Sequence, residues 1–292
     1  MEDTGYVGTL KVAGVQMEPR LLDREENLAR CLESMQIAAR EGARLIVFPE
    51  CALTGYMYSS LDEAMPVFET VPGTSTEMLI AACRDLNVYV VVGLLERDID
   101  DCYNTAALLG PWGVLAKYRK LHLPHLGIDR FINPGNMPIE VCETEIGRLG
   151  LGICYDARFP EHARVLTLKG ADILVLIANW PEPSIVFPQF IIPTRAIENH
   201  VFCVAVNRVG EEGGERFIGR SAILNCHMGE PLAVAGEDEE EIIYAEIEPA
   251  EARNKHIVFE LGRYELDLDK DRRPELYEII SEHTVEEPPA WE

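Results

Sequence analysis

Basic residues are scarce in this chain. Lysine and arginine number 26 against 50 aspartates and glutamates, a formal net charge of −24. Nucleic-acid binding starts from a basic patch that displaces counterions, and such a role does not fit this balance. An anionic membrane surface would repel the chain as well. Long apolar runs are missing too: no window approaches the roughly 18 consecutive apolar residues of a spanning helix. Met1-Glu2-Asp3 is acidic and no apolar stretch follows it, so no secretory leader is expected there. Cysteine is present eight times, but never as a CxxC pair. Disulfide scaffolds and zinc sites therefore fit poorly, and a reducing cytoplasm fits better. Internal repeats and Ser/Gly-rich seams are also lacking. Part of the acidic excess sits late, at 237–241 and 286–292, and reads as solvated loop and tail.

What remains is an ordinary globular composition, 47% hydrophobic and 26% charged, over 292 residues. Disordered chains are poorer in apolar residues. The expectation is one domain over 1–292, with an acidic tail from about 281. Apolar runs alternate with helical patterns. Residues 10–16 read as a strand. Residues 25–41 read as a helix, because Leu28, Cys31, Leu32, Met35 and Ala39 share one face. Residues 45–48 are a buried strand. Thr74 or Ser75 is expected to cap a helix running to Leu86, with Thr74 and Glu77 as a capping box. Residues 88–94 and 105–109 are strands, and Gly110-Pro111-Trp112-Gly113 is a hairpin turn leading into 114–118. Residues 149–153 form a strand, Pro160 opens a helix that Gly170 closes, and 172–177 is a strand. A helix near 194–199 precedes a strand at 201–207, and 219–244 holds two or three more. Crossovers together with hairpins mean an α/β protein with mixed sheets.

Three segments put reactive side chains just after buried strands, where ligands collect in α/β sheets. Glu50 follows the apolar residues 45–48, so burial should raise its pKa toward general-base values. Taken alone it also fits a structural ion-pair carboxylate. Lys120 ends a hairpin strand and alone is weak, while nearby His122 fits a hydrogen-bonded structural role. Cys154 sits between the strand 149–153 and the helix opened by Pro160. Gly150 and Gly152 permit close backbone approach there, and a helix N-terminus would favour thiolate. A buried structural cysteine is the alternative.

Together, in order and spacing, these segments resemble the Glu–Lys–Cys signature of the nitrilase (carbon–nitrogen hydrolase) superfamily. The likeness runs through Phe48-Pro49-Glu50-Cys51-Ala52-Leu53-Thr54-Gly55-Tyr56, Tyr118-Arg119-Lys120-Leu121-His122-Leu123-Pro124 and Gly152-Ile153-Cys154-Tyr155-Asp156-Ala157-Arg158-Phe159-Pro160-Glu161. It continues in Ala178-Asn179-Trp180-Pro181, Arg195-Ala196-Ile197-Glu198-Asn199, Val206-Asn207-Arg208-Val209-Gly210, Gly219-Arg220-Ser221 and Asp271-Arg272-Arg273-Pro274-Glu275-Leu276-Tyr277. The resemblance implies a four-layer α-β-β-α sandwich that dimerises through its helical layer, as a homodimer or higher homo-oligomer, and hydrolysis of a non-peptide C–N bond without metal or organic cofactor. It implies Cys154 as nucleophile, Glu50 as general base, and Lys120 with a backbone N–H, that of Tyr155, at the oxyanion. Many family members carry a second active-site Glu shortly before a Pro-Gly. Here Asp129, one methylene shorter, stands near that place before Pro134-Gly135, as a positioning or second acid–base carboxylate, with a plain surface-loop residue as the alternative.

Cys154-Tyr155-Asp156 is similar to the amidase side of the superfamily, which implies a small amide as substrate. N-carbamoyl amides and nitriles stay open, as do an acyl-transferring enzyme and a silent scaffold. Arg158, Asn179 and Trp180 are candidate pocket residues, with ion pairing and packing as their alternatives.

Overall fold

A computed structural model describes residues 8–282. The chain first lays down β1 (Leu10–Gln16), β2 (Leu45–Val47), β3 (Tyr89–Asp98), β4 (Asp101–Gly110) and β5 (Gly113–Arg119). There follow β6 (Val141–Thr144), β7 (Gly147–Ile153), β8 (Ile173–Ile177), β9 (Phe202–Val206), β10 (Val209–Glu212), β11 (Glu215–Ile218), β12 (Ala222–Leu224), β13 (Pro231–Val234) and β14 (Glu241–Ile247). The α-helices are α1 (Arg24–Arg40), α2 (Leu61–Ala64), α3 (Thr74–Leu86), α4 (Pro160–Leu168) and α5 (Ile192–Asn199).

Two six-stranded sheets result, in the orders β14-β1-β2-β3-β4-β5 and β13-β12-β9-β8-β7-β6. Each has three parallel strands, β1-β2-β3 or β7-β8-β9, flanked by antiparallel ones. Alternation along β1 shows how the layers stack. Leu10 and Val12 belong to the core shared with Leu149, Leu151, Ile153 and Val175 of the other sheet. Ala13 and Val15 belong to a second core with Leu28, Cys31 and Met35 of α1 and Leu79 and Cys83 of α3. Ala163 and Leu166 of α4 and Ala196 of α5 join the core containing Leu174 and Leu176. Helices outside and sheets inside make the expected α-β-β-α sandwich. Strands buried on both faces read as near-continuous apolar runs, which is why the sequence marks them clearly.

The N-terminus of α3 departs from expectation. Gly73 is its cap, and Thr74 is already helical. The Gly73 N–H donates to Thr76 Oγ1 at 2.8 Å, and the Ser75 N–H donates to Glu69 Oε2 at 2.9 Å. The expected local box is replaced by a carboxylate from the preceding segment, a partner that a window of adjacent residues does not contain.

Residues to Arg253 form one compact unit and those from Asn254 a second. In the second, β15 (His256–Glu260) and β16 (Tyr264–Asp267) pair as an antiparallel hairpin. The acidic stretch 286–292 and the start of the chain lie outside the described residues. Among the described residues, no helix is long and apolar enough to cross a membrane. All eight cysteines are free thiols.

Gly93 of β3 is where the 49–51 segment crosses the sheet. A Cβ at Gly93 would lie 2.4 Å from the Cys51 backbone nitrogen and 2.7 Å from Glu50 Cα. Backbone cannot swing aside as a side-chain tip can. Gly93→Ala should therefore lower unfolding stability by about 1–3 kcal/mol, the usual cost of overpacking. Urea denaturation measures this, and an unchanged midpoint would mean that the crossing is looser than described.

Candidate active site

Loops leaving β2, β5, β7 and β8 converge on one buried cluster. Glu50 follows β2 and is fully buried, and Lys120 follows β5 at 1% exposure. The end of β5 is pinned on both sides. Arg119 donates to Glu96 Oε2 (2.9 Å) and Oε1 (2.7 Å), while the Lys120 N–H donates to Asn104 O at 2.9 Å. The Gly135 N–H donates to Lys120 O at 2.8 Å, so tightly that a Cβ at Gly135 would sit 2.2 Å from Arg119 O.

Lys120 Nζ donates to Glu50 Oε1 at 2.7 Å and to Asp129 Oδ2 at 2.5 Å. An ammonium has three donors, so one remains. Asp129 arrives on a short 3-10 turn, Gly127–Arg130, and is buried. The structure thus places it in the cluster rather than on a surface loop. Asn104 Nδ2 bridges the carboxylates, 2.7 Å from Glu50 Oε1 and 3.1 Å from Asp129 Oδ1. Tyr56 donates its hydroxyl to Asp129 Oδ2 at 2.8 Å. Both contacts on Glu50 fall on Oε1. Its Oε2 is buried with no hydrogen-bond partner.

Cys154 is 7% exposed and adopts a φ of +49°, a left-handed conformation unusual for a residue with a Cβ. It opens a 3-10 turn, Cys154–Arg158, ahead of α4. In the parallel register Ile153 pairs with Ile177, which brings the Asn179 backbone to the sulfur as a hydrogen-bond donor. The helix expected to favour thiolate does not win. Burial, then the Glu50 charge, push the thiol well above its ordinary pKa, against the pull of Lys120 and the Asn179 N–H. Burial also raises Glu50, with Lys120 pulling it down and Asp129 pushing it up. Lys120 is the reverse: burial opposes its charge, but Asp129 and Glu50 hold it well above its usual value. The cluster is an ammonium fixed between two carboxylates, and burial together with the Glu50 charge favours the protonated form of the Cys154 thiol.

A family model for carbon–nitrogen hydrolases matches residues 11–256. The chain belongs to the carbon–nitrogen hydrolase family. It is 40% identical over 269 residues to a nitrilase of Pyrococcus abyssi, covering 92% of this chain and 99% of that one. It is 32% identical over 277 residues to an (R)-stereoselective amidase of a Pseudomonas species, covering 94% and 95%. Among solved structures, a point variant of the amidase from Nesterenkonia sp. AN1 superposes with a TM-score of 0.75 at 25% identity, covering 92% and 95%. That protein carries the acetamide moiety of fluoroacetamide covalently added at its active-site cysteine. The fold and the carbon–nitrogen hydrolase family are thereby established for this hydrolase.

The other sequence-derived candidates lie as follows. Tyr155 is half-buried, its ring edge-on to Phe159 at 5.2 Å. Arg158 is exposed at the end of the same turn. Trp180 is 1% exposed and stacks on Phe187 at 5.4 Å, its backbone N–H donating to Asn207 Oδ1 at 2.7 Å. Asn179 is equally buried, and neither side-chain amide atom has a hydrogen-bond partner.

Sequence reading of the hydrolase missed three residues. Asn104 lay just before the expected strand 105–109 with nothing to mark it, and Tyr56 was marked only by closing the first motif. Asp156 is the third. It accepts from Tyr118 OH (2.8 Å), the Ile153 N–H (3.0 Å), the His122 N–H (3.1 Å) and His122 Nδ1 (2.7 Å). It thereby ties the strand end carrying Lys120 to the turn carrying Cys154. Burial opposes its charge, but the His122 hydrogen bond and the neighbouring positive groups keep its pKa below the ordinary aspartate value. His122, stacked on Phe159 at 3.7 Å, has the structural role expected of it.

Because the Cys154 pKa is raised, its reactivity should follow a thiol that deprotonates late. Alkylation of the Cys154 peptide by iodoacetamide, followed by mass spectrometry, should keep accelerating as pH rises through 9.0. A plateau reached below that pH would contradict the thiol resting state.

Proposed function

We propose that this hydrolase cleaves the C–N bond of a small amide through a thioester on Cys154, releasing ammonia or an amine. The observation that carries this reading is the division of labour on Glu50. Its Oε1 is held by Lys120 and Asn104, while its Oε2 is buried and unengaged, and the Glu50 charge acts on the Cys154 thiol. That oxygen takes the Sγ proton as sulfur attacks the carbonyl carbon. The C=O electron pair moves onto oxygen, where the remaining Lys120 donor and a backbone N–H, that of Tyr155 or Asn179, meet the charge. Glu50 then passes the proton to the leaving nitrogen as the C–N bond breaks. Water, deprotonated by Glu50, attacks the thioester, and the proton returns to sulfur as the acid leaves. Splitting the reaction in this way suits a poor electrophile with a poor leaving group. Asp129 acts as a positioning residue that keeps Lys120 charged and aimed. The covalent adduct on the related Nesterenkonia amidase supports the cysteine assignment, and the (R)-stereoselective amidase supports the substrate class.

The test is ammonia release from a panel of small amides, N-carbamoyl compounds and nitriles. Cys154→Ala and Glu50→Gln should be inactive. Lys120→Ala should lose about a hundred- to a thousand-fold in kcat, the usual cost of one oxyanion donor. A Lys120→Ala variant that raised only KM would remove that assignment. Turnover confined to nitriles or N-carbamoyl compounds would replace the amide reading, and none at all would favour a silent scaffold. Since the raised Glu50 must be ionised to act, kcat/KM should fall with decreasing pH at a midpoint above 4.5. An acid limb below that value would identify a different base.

We further propose a cytoplasmic homodimer. The unpaired cysteines support the compartment. Phe259, Leu261, Leu276, Ile279 and Ile280 are exposed apolar side chains that a partner could cover, which supports association. Sedimentation should give twice the 32.7 kDa chain mass, and a monomer at micromolar concentration would overturn it.

A further inference from the structure

A second group of reactive side chains lies at the opposite end of the second sheet. His200 ends α5 in the left-handed conformation, with φ +46°, just before β9. Cys226 and His227 occupy the turn between β12 and β13, and Leu224 of β12 pairs with Cys203 near the start of β9. These three residues therefore gather at the amino ends of the parallel strands, whereas Cys154 leaves the carboxyl end of β7. The turn is held rigidly. The Asn225 N–H donates to Glu230 O at 2.9 Å, and Asn225 Oδ1 accepts from the N–H groups of His227 (3.1 Å) and Met228 (2.9 Å).

One donor atom from each of His200, Cys226 and His227 lies within 4.8 Å of the others. The imidazole rings meet edge to face, with centroids 5.0 Å apart. His200 and Cys226 are buried, and His227 is exposed, so the group has a dry floor and a solvent entrance. Glu251 Oε2 lies 3.4 Å from His227 Nε2. A carboxylate there can orient the ring and leave Nδ1 for an ion, the usual arrangement behind a metal-bound histidine.

Two imidazoles and a thiol form a mixed N/S donor set suited to zinc, which binds such ligands at about 2.0–2.3 Å. Hard cations such as magnesium and calcium want oxygen ligands and fit poorly. We propose that His200, Cys226 and His227 bind one zinc ion, with Glu251 orienting His227, and that the ion staples the end of α5 to the β12–β13 turn. Binding exchanges the Cys226 proton for a Zn–S bond, releasing one proton to solvent, with no redox change. The site is independent of the amide chemistry. The CxxC spacing that usually reveals zinc is absent because the donors come from segments brought together only by the sheet.

The experiment uses the full chain with Cys154→Ala, so that the active-site thiol cannot contribute, stripped with a chelator. Zinc is titrated by calorimetry, and cobalt(II) serves as a spectroscopic probe of thiolate coordination. One equivalent should bind. His227→Ala, at an exposed position that should leave folding intact, should weaken zinc binding at least tenfold. Glu251→Gln should weaken it by about 10- to 100-fold. Cys226→Ser should abolish the cobalt–thiolate charge-transfer band. Zinc should also raise the melting temperature of the parent, but not of His227→Ala. The proposal is overturned by failure of the parent to bind zinc, or by binding that His227→Ala leaves unchanged.

Discussion

Burying an ammonium group costs several kcal/mol even after relaxation, and only close opposite charges offset it. Lys120 is such a group, and much of the site's construction follows from keeping it charged. It needs Glu50 and Asp129 at hydrogen-bonding distance, and two carboxylates that close would repel each other without the cation between them. Asn104 spans the pair and Tyr56 braces Asp129, so neither acid is free to drift. Removing Lys120 would leave two buried carboxylates without their shared cation, and removing either acid would leave Lys120 with one partner instead of two. The cluster is therefore held as a unit, and its members come from several separate segments.

That demand reaches into the sheets. Glu50 can approach only because β3 has Gly93 where the 49–51 backbone passes. Lys120 is aimed by its strand: Arg119 turns to Glu96 on one face, and Lys120 turns to the carboxylates on the other. On the second sheet, Cys154 takes a left-handed turn at the end of β7, and the register with β8 delivers the Asn179 N–H to its sulfur. Asp156 joins the two halves by binding both the His122 segment and the Ile153 backbone. In the proposed mechanism, a carboxylate that organises the Cys154 turn leaves Glu50 as the acid–base group.

The same burial that makes the cluster stable sets its resting protonation. A thiolate would be a second anion beside Glu50 in a dry pocket, so the thiol is favoured. In the proposed mechanism the proton moves only when an electrophile arrives to receive the charge. Such a site avoids carrying a permanently reactive sulfur, and the chain's other cysteines are mostly buried deep in the cores as inert side chains.

The sequence by itself determined the strand runs, the amphipathic helices, and the placing of Glu50, Lys120 and Cys154 after strands, because burial on one or both faces leaves a periodic record in the chain. The motifs around those residues also carried the family likeness. What only the tertiary structure decided was which side chains meet. Asp129 was undecided between loop and cluster until the turn at 127–130 brought it 2.5 Å from Lys120. Asn104, Glu69 at the start of α3, and the gathering of His200 with Cys226 and His227 were not legible in the sequence, because their partners are distant in the chain. Periodicity reports whether a residue is buried, and it is silent on what stands opposite. Contacts between separate segments, with the charges and donors they bring, are set by the packing of the sheets.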